Sequence, residues 1–286
     1  MIVAQSIAEC REQRARLAGK LALVPTMGAL HNGHLSLITQ AKRRADHVAV
    51  SIFVNPTQFG PREDFNKYPR PIEDDLAKCE AAGVELIFQP SVEEMYPPGQ
   101  PQIVIDLPDL TNILEGKHRP GHFKGVLQVV AKLFNIIQPQ IACFGQKDFQ
   151  QLRVISAMAQ TLNWPIEVVS CPTIREADGL AMSSRNQYLS KDERERALAI
   201  SRALFLAQGE LKAGARQANR LVATLQNTLL DVGKLGRIPV SIDYVAAVDP
   251  QTLKPVEVVT GPTVLAIACR VGNTRLIDNL VVAPEE

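Results

Sequence analysis

Short strand-like runs that alternate with helix-length segments fix the class of fold open to this chain. Five such runs fall within the first 170 residues of the 286-residue sequence: 21–24 (LALV), 48–54 (VAVSIFV), 84–88 (VELIF), 141–144 (IACF) and 166–170 (IEVVS). The second is almost wholly apolar and rich in β-branched residues, the composition of a parallel strand covered on both faces. The segments between carry the helical period. Leu35, Ile38, Ala41 and Ala45 recur at helical spacing, residues 73–82 read as a helix ending at Gly83, and residues 148–162 read as another. The strongest helix spans about 124–138, with Val126, Val129, Val130, Leu133 and Ile137 on one face and Pro139 as its stop. Strands separated by helices join through right-handed crossovers, so the pattern predicts an α/β fold with a doubly wound, Rossmann-like parallel sheet.

The pattern changes after residue 172. A Gly- and Ser-containing stretch, 173–190, precedes two helical segments at 191–208 and 215–232, and Ser190 with Glu193 forms a capping box for the first. Three strand-like runs follow at 241–248, 264–270 and 275–281. The expected division is a Rossmann-like domain over 1–174 and a smaller C-terminal α+β domain over 175–286.

Composition removes several function classes. With 46% hydrophobic residues the chain can bury a core, and 31 basic against 30 acidic residues leave a formal net charge of +1. A field that weak neither gathers nucleic acid nor coats an anionic membrane, so any phosphate recognition must be local. The five cysteines, Cys10, Cys79, Cys143, Cys171 and Cys269, have no CxxC spacing and read as reduced, mostly buried thiols. No run approaches membrane-span length and no signal peptide is visible, which predicts a cytoplasmic protein.

The most informative stretch is 25–34 (PTMGALHNGH), between the first predicted strand and the first predicted helix. In an open α/β sheet that loop binds ligands, and the helix N-terminus favours anions. Gly28 and Gly33 mimic P-loop spacing, but His34 and Leu35 stand where Lys and Ser or Thr are required. The phosphate-facing side chains would be His31 and His34, three residues apart on one helical turn. The competing reading makes one histidine a helix cap and the other an exposed neighbour.

HxGH at this place resembles the signature of the nucleotidylyltransferase superfamily, and Met182-Ser183-Ser184-Arg185-Asn186 occupies the place of its second phosphate loop. The wider resemblance is more specific. Residues 25–34, 53–59 (FVNPTQF), 119–123 (RPGHF), 144–151 (FGQKDFQQ) and 175–186 (READGLAMSSRN), in this order, resemble the pantothenate synthetase family. The resemblance implies an ATP-dependent ligase that joins pantoate to β-alanine through a pantoyl adenylate, releasing AMP and pyrophosphate. It implies catalytic roles for His34, His31, Lys147, Ser183, Ser184 and Arg185, which would meet charge on the phosphates. ATP would also be held by Met27, Gly28, Ala29, Leu30, Asn32, Gly33, Gly145, Gln146, Asp148, Ile174 and Met182. Gln58, Gln151, Asn55 and Met27 would contact pantoate or β-alanine, and a homodimer is the implied assembly.

Three readings compete at single positions. Gln58 could close a turn after Pro56, Asp148 and Gln151 have the spacing of a helix N-cap and its N3 partner, and Arg119 would meet ligand or a neighbouring chain. Mg²⁺ is expected with ATP, and Asp74-Asp75 is the acidic pair considered for it, against a capping role on a helix. The alternative activity is a nucleotidylyltransferase that retains the nucleotide on its product, which accounts for HxGH and Ser-Ser-Arg but not for Gln58 or Gln151.

Overall fold

A computed structural model describes residues 1–61, 63–234 and 238–284. Contacts divide the chain into two compact units. The first comprises Met1–Asn112, Arg119–Gln146 and Val154–Pro172; the second comprises Ile113–His118, Lys147–Arg153 and Thr173–Glu286.

The first unit is built on a six-stranded, wholly parallel sheet ordered β1-β4-β3-β2-β5-β6. Its strands are β1 (Ile2–Ala4), β2 (Leu21–Thr26), β3 (His47–Ile52), β4 (Leu86–Phe88), β5 (Ile141–Gly145) and β6 (Glu167–Cys171). The helices that follow them in the chain are α1 (Ile7–Arg16), α2 (Asn32–Lys42), α3 (Ile72–Ala81), the single turns α4 (Val92–Met95), α5 (Pro108–Thr111) and α6 (Glu115–His118), then α7 (His122–Ile137) and α8 (Phe149–Thr161); α6 and the first turn of α8 group with the second unit. The sheet reads outward in both directions from β2 and β5, so the crevice at their carboxyl ends is the topological switch point where such sheets bind ligands.

The apolar pattern becomes the core directly. Ala22, Val24, Val48, Val50, Ile87, Ile141 and Cys143 pack with Leu37, Ile38 and Ala41 of α2. Helix α7 buries twelve of its sixteen residues and ends where Gln138 turns left-handed (φ +49°) ahead of Pro139. One strand escaped the sequence reading. β1 is a three-residue edge strand with only its last residue buried, so it carries no apolar run, and it makes the sheet six-stranded rather than five.

The second unit carries α9 (Lys191–Lys212), α10 (Ala218–Lys234) and an antiparallel sheet of β7 (Val240–Val248), β8 (Thr263–Val271) and β9 (Thr274–Val282). Ser190 caps α9 through the expected box with Glu193. Leu221, Leu225 and Leu229, one turn apart on α10, join Leu265, Ile267, Cys269 and Val271, alternate residues of β8, in one core. Each fully buried leucine there contributes about 2 kcal/mol. All five cysteines are free and buried. Among the described residues no helix is long and apolar enough to cross a membrane.

Candidate active site

The loop leaving β2 must reverse the chain within a few residues, and it does so through two consecutive left-handed residues, Gly28 (φ +83°) and Ala29 (φ +51°). An alanine at such a φ costs roughly 1–2 kcal/mol, so neighbours must hold it. They are identifiable. Asp75 on α3, fully buried, accepts hydrogen bonds from the Ala29 and Leu30 amides, each at 2.7 Å. Lys78 donates to the Leu30 carbonyl (2.7 Å), and the Gly28 amide donates to Thr26 Oγ1 (3.2 Å). A Cβ on Gly28 would lie 2.9 Å from Asp75 Oδ2 and 3.2 Å from Ile52 Cγ2, so the turn has no room for one.

The two acidic residues considered for magnesium differ in their surroundings. The Asp75 carboxylate is spent on backbone amides inside the protein, and Asp74 pairs with Lys78 at 2.6 Å. Burial raises the Asp75 pKa, against the pull of the two amides and Lys78. Among the described residues no group of three or more His, Cys, Asp or Glu side chains could hold a metal ion.

Helix α2 begins at Asn32, with His31 as its N-cap. His31 Nδ1 accepts from the Gly33 amide (3.1 Å), and His34 Nδ1 accepts from the His31 amide (3.3 Å). The box is reciprocal, with imidazole nitrogens where Ser and Glu commonly serve. The rings lie against one another, centroids 4.1 Å apart. A nitrogen that accepts an N–H carries no proton, so each neutral ring is the Nε2–H tautomer. Both rings are therefore donors through Nε2, at a helix N-terminus already favourable to anions.

Asn55 and Gln58 stand at the ends of the 3₁₀ turn Pro56–Gln58, with Asn55 as its cap. Asn55 is 1% exposed and donates to Gln58 Oε1 and to the Gly125 carbonyl, both at 3.1 Å, while its Oδ1 accepts from Tyr96 Oη (2.9 Å) and Thr57 Oγ1 (3.0 Å). This orients the Gln58 amide, whose Nε2 lies 3.1 Å from the Met27 sulfur. The structure thus brings together Met27, Asn55 and Gln58 beside the start of the histidine turn. Arg119 makes a two-pronged pair with Glu63 (2.7 and 2.6 Å) and a 3.0 Å contact to His122 Nε2, and His122 Nδ1 donates to the Gln58 carbonyl (2.8 Å). Gly145, on the same sheet edge, has nothing within 4 Å of where a Cβ would stand, which leaves room for a ligand.

The remaining predicted residues group with the second unit, apart from Gln146, which follows β5 in the first. Lys147 and Asp148 lie in the 3₁₀ turn Gln146–Asp148, Nζ to Oδ2 3.9 Å, and Gln151 is in the first turn of α8. Ile174 and Met182 close a small hairpin, the Met182 amide donating to the Ile174 carbonyl (2.9 Å), so that amide is committed within the loop. Ser183 caps the 3₁₀ turn Ser184–Tyr188, its Oγ accepting from the Arg185 amide (3.2 Å). Asn186 staples the loop by donating to Glu176 (2.7 Å) and the Ala181 carbonyl (3.0 Å).

Sequence reasoning missed the supporting residues. Arg175 pairs with Asp278 of β9, and Asn279 donates to the Lys147 carbonyl. Glu115 is buried under Arg275 (2.6 and 2.8 Å) and Tyr244 (3.0 Å). The one available signal was an Asp-Asn pair interrupting an apolar strand, 275–281.

The chain matches the family model described as pantoate-beta-alanine ligase over residues 2–281. It is 51% identical over 284 residues to pantothenate synthetase of Moorella thermoacetica, covering 98% of each chain. It is 49% identical over 290 residues to that of Myxococcus xanthus, covering 99% of this chain and 97% of the other. The crystal structure of pantothenate synthetase from Thermus thermophilus superposes with a TM-score of 0.92 at 43% identity, covering 99% of this chain and 100% of that one. Pantoate-beta-alanine ligase from Francisella tularensis, complexed with beta-gamma ATP and beta-alanine, gives 0.79 at 35% identity over 98% and 97%. By its motifs, its sheet order and these matches, the chain belongs to the pantoate–β-alanine ligase family.

Proposed function

We propose that this enzyme condenses pantoate with β-alanine at the expense of ATP, giving pantothenate, AMP and pyrophosphate. The observation that carries it is the contact between Gln58 and Met27, which sets an amide suited to a hydroxy acid beside the histidine turn suited to phosphate. The pantoate carboxylate attacks the α-phosphorus and the bond to pyrophosphate breaks, forming pantoyl adenylate. The β-alanine amine then attacks the acyl carbonyl, loses a proton, and expels AMP.

His34 and His31 donate Nε2–H to the α-phosphate as charge develops there, and Lys147, Ser183, Ser184 and Arg185 neutralise the departing pyrophosphate. Met27 to Leu30, Asn32 and Gly33 line the nucleotide. Gly145, Gln146, Asp148, Ile174 and Met182 hold the adenosine, and Asn55, Gln58 and Gln151 hold the acid and amine. Magnesium enters with the ATP substrate, and Asp74 and Asp75 on α3 are the acidic pair that would face it. Residues 1–174 form the Rossmann-like ATP- and pantoate-binding domain and 175–286 the smaller α+β domain with the Ser-Ser-Arg loop; the enzyme works in the cytoplasm as a homodimer. A nucleotidylyltransferase that keeps its nucleotide is disfavoured by the oriented Gln58.

ATP–pyrophosphate exchange tests this. Exchange should require pantoate and not β-alanine. No exchange with pantoate and Mg²⁺, or AMP retained covalently in the final product, overturns the reading.

A further inference from the structure

Side chains on a strand alternate between its two faces, so neighbouring residues reach opposite directions. Asp278 and Asn279 are neighbours on β9, paired across to Ile267 and Ala266 of β8, and they are 3% and 6% exposed. Two adjacent buried polar side chains in a strand of Leu, Ile and Val are costly unless each is satisfied. Both are, and by elements that carry proposed phosphate ligands.

Asp278 takes Arg175 two-pronged, at 2.6 and 3.1 Å, and its Oδ1 also accepts the Asn279 amide at 2.8 Å. Arg175 opens the loop that holds Ser183, Ser184 and Arg185. Its guanidinium also donates to the Gly179 carbonyl (3.2 Å), at the far end of the tight turn, and stacks over Phe205, 5.2 Å from the ring centre. The loop is thus tied to β9 at its root and at its turn. On the other side, Asn279 Nδ2 donates to the main-chain carbonyl of Lys147 at 2.8 Å. That bond fixes the backbone from which the Lys147 ammonium extends.

We infer that the Asp278–Asn279 pair of β9 is a positioning device that sets the Ser-Ser-Arg loop from one face and Lys147 from the other. Neither residue touches substrate; each acts through the group it holds. The inference rests on the roles proposed above for Lys147 and the loop. Preorganised donors lose their advantage steeply when displaced, and a shift near 1 Å can cost on the order of 100-fold in rate.

The test is a double-mutant cycle on the full-length enzyme. Asn279→Ala, with Asn279→Ser as the milder variant, should lower pantoate-dependent ATP–pyrophosphate exchange about 10- to 100-fold while the pantoate KM stays within about twofold. In a Lys147→Ala background the same change should lower the rate less than about threefold, because the group it positions is gone. Asp278→Asn should couple in the same way to Arg185→Ala. A purely structural role predicts multiplicative losses in both backgrounds, and that result overturns the inference. The same cycle read as affinity for a non-hydrolysable ATP analogue keeps the two ideas apart. Wild-type enzyme without exchange refutes the proposed reaction, whereas coupling in nucleotide affinity decides the positioning role by itself.

Discussion

Gly125 sits on α7 where that helix crosses the Asn55–Gln58 turn, and replacing it with alanine should misplace the acid-binding amides without touching them. A methyl at this position meets the Thr57 carbonyl, lying 2.5 Å from its carbon and 2.6 Å from the Gln58 amide nitrogen. Ordinary carbon–carbon contact is about 3.5 Å, so helix and turn must separate by about 1 Å. Both partners are main chain, so no rotamer change relieves the clash. The separation stretches two links that define the turn, Asn55 Nδ2 to the Gly125 carbonyl (3.1 Å) and His122 Nδ1 to the Gln58 carbonyl (2.8 Å). Overpacking of this kind costs about 1–3 kcal/mol of stability. Displacing Gln58 by about 1 Å should lower kcat/KM for pantoate on the order of 100-fold. The ATP KM should move little, because the histidine box hangs on Asp75 and Thr26 instead. Steady-state kinetics with each substrate varied, beside a thermal melt, checks this. A Gly125→Ala enzyme with wild-type pantoate kinetics and an unchanged melt would refute the claim that this close approach positions the amides.

Asp75→Asn keeps the shape of the side chain but only one acceptor for two amides; it should cost ~1–3 kcal/mol in a denaturant titration, and slow adenylation without changing the pantoate KM. A wild-type adenylation rate would show that the turn holds itself. His34→Ala removes a donor and half the cap, so single-turnover formation of pantoyl adenylate should fall while β-alanine attack on preformed adenylate persists; equal slowing of both steps counts against the role. Burial pushes the Glu63 carboxyl up, but its bonds to Arg119 outweigh this and hold it below its usual value. A lowered carboxyl stabilises the fold above its unfolded pKa, near 4.3 for Glu, and that contribution disappears as pH falls through the lower folded value. The melting advantage of wild type over Glu63→Gln should therefore shrink as pH falls below about 5 and through the lowered folded value; a constant gap would mean the pair adds nothing.

What was legible in the sequence tracks how local its cause is. Strands β2 to β6 carry their own apolar runs and helices α2, α3, α7 and α8 their own periodic stripes, so they stand out. β1 lies at the sheet edge with only its last residue buried, whereas the equally short β4 is buried throughout, and α1 buries only Cys10 outright, so neither β1 nor α1 has an apolar run or stripe to read. The same distinction governs the site. PTMGALHNGH and Ser-Ser-Arg are contiguous, whereas Asp75 acts on amides 45 and 46 positions away and Asn279 on a carbonyl 132 away. Sequence could only guess at Asp75 from its charge, and a carboxylate beside another carboxylate suggested a cation. Its actual partners are backbone N–H groups, which every residue except proline possesses and which leave no compositional trace.

The histidines show a different limit. Read as letters, His31 and His34 posed a choice between capping a helix and meeting a phosphate, and evidence for one counted against the other. An imidazole has two nitrogens, however, and the fold separates the tasks between them. Nδ1 of each ring accepts a backbone amide and closes the cap; that bond obliges the proton to sit on Nε2, where a donor is wanted for an anion. The cap is thus what selects the tautomer that suits the proposed chemistry. Serine in place of His31 would still cap α2, and so would a glutamate in place of His34, which is why a stable helix N-terminus alone says nothing about phosphate. The two roles reinforce each other only when both boxed residues are histidine.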